Sequence, residues 1–376
     1  MSFMKRSSAS QPLIFAAWFV TLLCAVVAGC TNTLKNVDFG ENARTVEPVS
    51  ARAAIINLAY SDDGKRIAAL HQFVHPHDMR CCMVGSTPSW LRVWNVSDEW
   101  QADAGCDLGS VALGSRTFGS IRFSRDGKQI FVADNGNNDE GRLAVWSTED
   151  NQLEHRRFGW VRAVGPHAEV IVAGDDQASQ TIVNQHGQPI DHVWPAEDIN
   201  KGFPAGWRDC FSSDGRLIAI LHEQSEWPKS VFIVDWQAGK TVSSFSAERS
   251  FWNLAFSADE RLIAMTGLDG PDVVVRNVQT GKLGTTLKVE ADDFWDAAFS
   301  PDNQLLAVSG STEPEKKKSR QGLTVIWHVP TWKKLKTIID RDSWATPAVT
   351  FSPNSKTLAC GTTNGTIRFH ASPSVE

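Results

Sequence analysis

Short apolar runs flank the same polar turn again and again along this chain. The phrases are "AYSDDGKRIAAL" (59–70), "RFSRDGKQIFVA" (122–133), "CFSSDGRLIAIL" (210–221), "AFSADERLIAMT" (255–266), "AFSPDNQLLAVS" (298–309) and "TFSPNSKTLACG" (350–361). Each reads as a strand ending on an aromatic residue, a serine-led tight turn suited to left-handed geometry, and an apolar strand leaving it. A further apolar run ends near a tryptophan or its substitute: "LRVWNV" (91–96), "LAVWST" (143–148), "VFIVDW" (231–236), "VVVRNV" (273–278), "LTVIWHV" (323–329) and "TIRFHA" (366–371). Turns such as "QAGK" (237–240) and "QTGK" (279–282) then lead to a fourth strand such as "LGTTLKV" (283–289). The pattern predicts units of four antiparallel strands.

A weaker copy, "AVGPHAEVIVAG" (163–174), fills one gap, with Val164 standing where the others have serine. The turn positions are then 61, 124, 164, 212, 257, 300 and 352. Seven copies at a period in the forties predict an all-β fold, a seven-bladed β-propeller of four-stranded antiparallel blades over residues 44–373. The last copy leaves room for two strands after its turn but not for a third. Residues 44–50, "RTVEPVS", are therefore expected to supply the missing outer strand and close the last blade, with 374–376 as a tail.

The serine-led turns and the tryptophan of the third strand resemble the WD-repeat family over roughly residues 45–373. The family's Gly-His pair before the first strand and the aspartate after the tryptophan are largely absent. Its His–Ser/Thr–Asp–Trp hydrogen-bond network is therefore not expected, and packing must supply most of the cohesion between blades.

Composition changes this picture mainly at the N-terminus. Lys5 and Arg6 precede the apolar run "PLIFAAWFVTLLCAVVA" (12–28), the build of a secretory signal. "VAGC" (Val27–Cys30) resembles the bacterial lipobox, which implies cleavage after residue 29 and lipidation of Cys30, with 30–43 as a tether. Thr31 rather than aspartate follows the cysteine, and by the same resemblance the outer membrane is favoured over the inner. Residues 1–29 contain two basic and no acidic residues, so the mature chain carries a net charge of −8. Its one basic tract is "KKKSR" (316–320), which argues against a nucleic-acid partner.

Candidate chemistry is sparse. "HQFVHPHDMRCCMVG" (71–85) occupies a blade-one loop that is about twenty residues longer than the repeat requires. Three readings stand open: a disulfide-pinned loop with Cys81 or Cys82 paired to Cys106, a plain exposed loop, or a metal site at His75, His77 and Asp78. The spacing matches no established zinc pattern, and no metal or other cofactor is expected. Cys210 and Cys360 lie inside strands as small core hydrophobes. Trp160, Trp207, Trp252 and Trp295 begin inner strands; Trp344 lies nearby, and Phe118 takes a similar place. They are either plugs between blades or an aromatic girdle at the channel mouth, where Arg208, Asn253 and Asp296 would add polar specificity for a protein, peptide or glycan. "HEQSE" (222–226) lacks the second histidine of a zinc protease motif, no G-x-S-x-G elbow is present, and the acidic stretches 134–141 and 174–180 read as solvated turns. The reading is a non-enzymatic, lipid-anchored, extracytoplasmic interaction platform. A lactonase-like propeller hydrolase with its active site at the channel mouth is the alternative.

Overall fold

The computed structural model describes residues 44–46, 53–73, 89–96, 102–113, 117–134, 142–157, 159–174, 180–192, 203–204, 211–222, 229–247, 251–267, 272–289, 291–312 and 319–374. The chain divides into Met1–Asp38 and Phe39–Glu376, and every described residue belongs to the second unit. Among the described residues the chain forms seven antiparallel sheets, six with four strands and one with three.

Strand β1 (Arg44–Val46) is set apart from its neighbours in sequence. The first sheet follows with β2 (Ala53–Tyr60), β3 (Arg66–Phe73), β4 (Ser89–Val96) and β5 (Ala102–Leu113). The second holds β6 (Thr117–Phe123), β7 (Gln129–Asp134), β8 (Arg142–Ser147) and β9 (Leu153–Arg157), and the third β10 (Trp160–Val164), β11 (Ile171–Gly174) and β12 (Gln180–Val183). The fourth is β13 (Phe203–Pro204), β14 (Leu217–His222), β15 (Lys229–Asp235) and β16 (Lys240–Ala247). The fifth is β17 (Phe251–Phe256), β18 (Leu262–Gly267), β19 (Asp272–Asn277) and β20 (Leu283–Lys288). The sixth is β21 (Asp293–Phe299), β22 (Leu305–Ser311), β23 (Gly322–His328) and β24 (Lys333–Asp340). The seventh combines β25 (Ala348–Phe351), β26 (Thr357–Gly361) and β27 (Ile367–Ala371) with β1, which pairs with β27 through Thr45 opposite Arg368.

Each sheet buries both faces, which is why its second strand reads as an unbroken apolar run rather than an alternating one. In β14, Leu217 and Ala219 pack toward the fifth sheet while Ile218 and Ile220 pack toward the third. Seven such clusters join successive sheets, and the last joins Ala348, Ala359, Ile367 and Phe369 of the seventh sheet to Ile55, Leu58 and Ile67 of the first. The succession closes on itself within residues 44–374, so every core cluster among the described residues lies inside the unit Phe39–Glu376.

The repeated turn has one geometry. In six copies the serine hydroxyl donates to the Asp or Asn side chain two residues on at 2.5–2.7 Å. It also accepts the N–H five residues on at 2.9–3.0 Å. The fourth residue has φ between +59° and +75°, and it is Gly64, Gly127 and Gly215 in three copies but Glu260, Asn303 and Ser355 in the others. In the weak copy the backbone bonds put Gly165, not Val164, in the serine's place: Gly165 N–H donates to Val170 O, and Ala168 N–H to Gly165 O. A Cβ at Gly165 would lie 2.6 Å from Val170 Cγ1, so no serine fits there.

Neighbouring turns touch at all seven interfaces, so cohesion is not left to packing alone. Arg66 donates to Gly127 O, Arg125 pairs with Glu169 at 2.8 Å, and Ser213 donates to Ala258 O at 3.1 Å. Asp259 N–H reaches Asn303 Oδ1 and Asp302 N–H reaches Ser355 Oγ, both at 3.1 Å. Gly215 and Gly64 supply the remaining two contacts by lying against Pro166 and Pro353.

The third sheet departs from the four-stranded expectation. After β12 the chain turns through Asn184–Gly187 and returns only as a bridge from Val183 to Pro189, with Ile190 N–H donating to Ile182 O. Pro189 has no N–H to add to a ladder, and among the described residues no fourth strand follows in this sheet.

Candidate functional site

The inner strands carry Trp160, Trp252, Asn253, Trp295 and Asp296 among the residues that sequence reasoning singled out, and four inner strands share an irregularity. Pairing slips by one residue between Ile55 and Asn57, Val161 and Ala163, Phe251 and Asn253, and Phe294 and Asp296. Ile56, Arg162, Trp252 and Trp295 are therefore the extra residues of four β-bulges, a device that re-aims side chains. Trp295 is only 2% exposed, and Phe294 before it fills the cluster between the fifth and sixth sheets.

The residue after the bulge is polar in three sheets, Asn57, Asn253 and Asp296, and all three are buried. Asn253 Nδ2 donates to Asp296 Oδ1 at 2.5 Å, Ala297 N–H donates to the same oxygen at 2.9 Å, and Val349 N–H donates to Asp296 Oδ2 at 2.8 Å. One carboxylate thus ties together the inner strands β17, β21 and β25. Such charge-assisted bonds are the strong ones, and they offset the cost of burying the carboxylate. Across the register, buried Thr266 lies opposite Asn253 and buried Ser309 opposite Asp296, so the polar positions continue onto the second strand in the fifth and sixth sheets.

The other candidates fall as follows. Trp160 and Trp252 lie in β10 and β17, and Cys106 lies in β5. Trp344 is half-buried just before β25. Its neighbour Ser343 bonds Thr363 Oγ1 at 2.7 Å, which pins this segment to the turn between β26 and β27. Phe118 is in β6. Cys30, His75, His77, Asp78, Cys81, Cys82, Trp207, Arg208 and Cys210 lie outside the described residues. Cys360 is buried in β26, 3.7 Å from Thr324 Oγ1, and burial pushes its thiol up to about 12, consistent with an inert core group. Among the described residues no three His, Cys, Asp or Glu side chains are grouped to hold a metal.

Two titratable sites were not anticipated. At the turn of the fifth sheet, burial and a bond from Asp214 raise the Glu260 carboxyl above its usual range, while Arg216 spans Asp214, Asp235 and Glu260. On β27, burial, helped by Lys336 and Arg368, lowers His370 to about 4. Neither had a local sequence signal, because the partners are up to 46 residues away along the chain.

Residues 333–370 match the family model described as WD domain, G-beta repeat. No curated protein matches the sequence. Among solved structures, the β-propeller domain of Cps50 (Swd1) from Myceliophteria thermophila aligns with a TM-score of 0.61 at 12% identity, covering 88% of this chain and 99% of that one. The class is therefore plain: an all-β propeller built of four-stranded antiparallel sheets. Within it, the stretch from β24 to β27 is similar to a WD repeat.

Proposed function

We propose that this chain is a seven-bladed, lipid-anchored, extracytoplasmic propeller that serves as a non-enzymatic interaction platform for a protein, peptide or glycan. The carrying observation is the unbroken circuit of turn-to-turn contacts, which makes a rigid ring whose outward loops can vary without cost to the core. The WD repeat and the propeller likeness support a scaffold role. The signal-like segment and the lipobox-like "VAGC" ending at Cys30 support export and anchoring in a bacterial envelope, the outer membrane before the inner. Cys30→Ser tests the anchor: fatty-acid labelling should vanish and the protein should leave the membrane fraction. Unchanged labelling rejects it. Crosslinking in intact membranes tests the platform, and recovery of the chain with no crosslinked partner under any condition that preserves the envelope counts against it.

A further inference from the structure

The outer strand of the sixth sheet, β24, carries Lys333, Lys334 and Lys336 within four residues. Lys333 and Lys334 are exposed and Lys336 is half-buried, and among the described residues no carboxylate pairs with any of them. Lys336 stands opposite Ile326, which packs toward the seventh sheet. Facing it from β27 are Arg368 and His370, opposite Cys360 and Leu358 of the same cluster. Arg368 pairs with Asp340 at 2.6 Å and Asp342 at 2.8 Å, and with Arg341 between the two aspartates these four charges cancel, leaving the lysines as the rim's net positive charge. Ile339, on the same strand, is 42% exposed, one of two large hydrophobic residues so placed among the described residues.

The chain enters the ring on the neighbouring sheet. β1 pairs with β27, so the polypeptide joins the ring at the outer edge of the seventh sheet, one strand away from Arg368 of β27, which meets Asp340 of β24. Only fourteen steps of chain separate Cys30 from Arg44, a reach of at most about 50 Å. A lipid on Cys30 would keep this edge within that reach of the bilayer, while the net charge of the mature chain repels an anionic surface.

We infer that the β24 rim, through Lys333, Lys334, Lys336 and the exposed Ile339, docks on the anionic phospholipid surface to which the chain is tethered and so sets the orientation of the ring. The inference rests on the lipid-anchor reading. Lysines near an anionic surface contribute enough that losing three weakens attachment on the order of a hundredfold.

The test replaces the native anchor, so it stands apart from lipidation of Cys30. Residues 39–376 with an N-terminal hexahistidine tag are bound to vesicles containing a nickel-chelating lipid, with phosphatidylcholine alone or with phosphatidylglycerol added. Phosphatidylglycerol should tighten binding on the order of a hundredfold, and raised salt should erase the gain. The triple variant Lys333→Gln, Lys334→Gln, Lys336→Gln should lose it, whereas Lys240→Gln, Lys282→Gln, Lys288→Gln, an equal charge change on the fourth and fifth sheets, should keep it. No gain with phosphatidylglycerol, or equal loss in both triples, overturns the inference. A failure of Cys30 labelling would leave this result untouched, which separates the two readings.

Discussion

At the scale of single residues, His370 offers the clearest handle. Its imidazole is half-buried on β27, and desolvation there, helped by Lys336 and Arg368, lowers it from an unfolded value near 6.5 to about 4. A histidine depressed in the folded state stabilises the fold fully above the unfolded value, and that contribution is lost as pH falls toward the folded one. Thermal stability should therefore drop between about pH 6.5 and pH 4 more steeply in the wild type than in His370→Gln, which cannot titrate there. Parallel melting-temperature curves for the two proteins across that interval would refute the assignment. "TIRFHA" does not announce this residue, because the burial that mainly depresses it is set by tertiary packing, and Lys336 lies on β24, more than thirty residues earlier in the chain.

At the scale of elements, the recurrent turn was legible and the bulge was not. Serine, aspartate and glycine at fixed offsets specify the turn because its hydrogen bonds are local, spanning five residues or fewer. The bulges at Trp252 and Trp295 leave no such mark, since one extra residue in a short strand only shifts the apolar alternation. The same holds for Asn253 and Asp296. A polar residue after a tryptophan reads equally well as a partner contact or as a clamp, and only the neighbouring sheets tell which atoms it meets. The Asn253–Asp296 bond should show in a double-mutant cycle. With Asn253→Ala and Asp296→Ala, urea denaturation should give a coupling of about 1–3 kcal/mol, as buried hydrogen-bonded pairs do. Asp296→Ala alone should cost more than Asn253→Ala, because it also strands the Val349 N–H. Coupling below about 0.5 kcal/mol would mean the two side chains act independently.

At the scale of the whole molecule, the core is a closed circuit of clusters joining successive sheets. β1 is only three residues long, yet it covers the edge of β27 in the seventh sheet, which would otherwise present unpaired backbone groups. Deleting residues 44–50 should lower the melting temperature of the 39–376 unit or drive concentration-dependent aggregation, as read by thermal unfolding and light scattering. A truncated protein as stable and as monomeric as its parent would show that the seventh sheet does not need this strand.

The division between what was written in the chain and what folding decided follows the range of the forces involved. Period, strand order, turn chemistry and apolar second strands are local or repeated, so they can be read without coordinates. The place of Gly165 in the weak turn is local too, but it is fixed by contact with Val170, which only the fold reveals. The incomplete third sheet, the bulged tryptophans, the carboxylate shared by three sheets and the facing of β24 against β27 all join residues distant in sequence. Their partners are chosen by which side chains the closed circuit brings within bonding distance, and no stretch of sequence encodes that by itself.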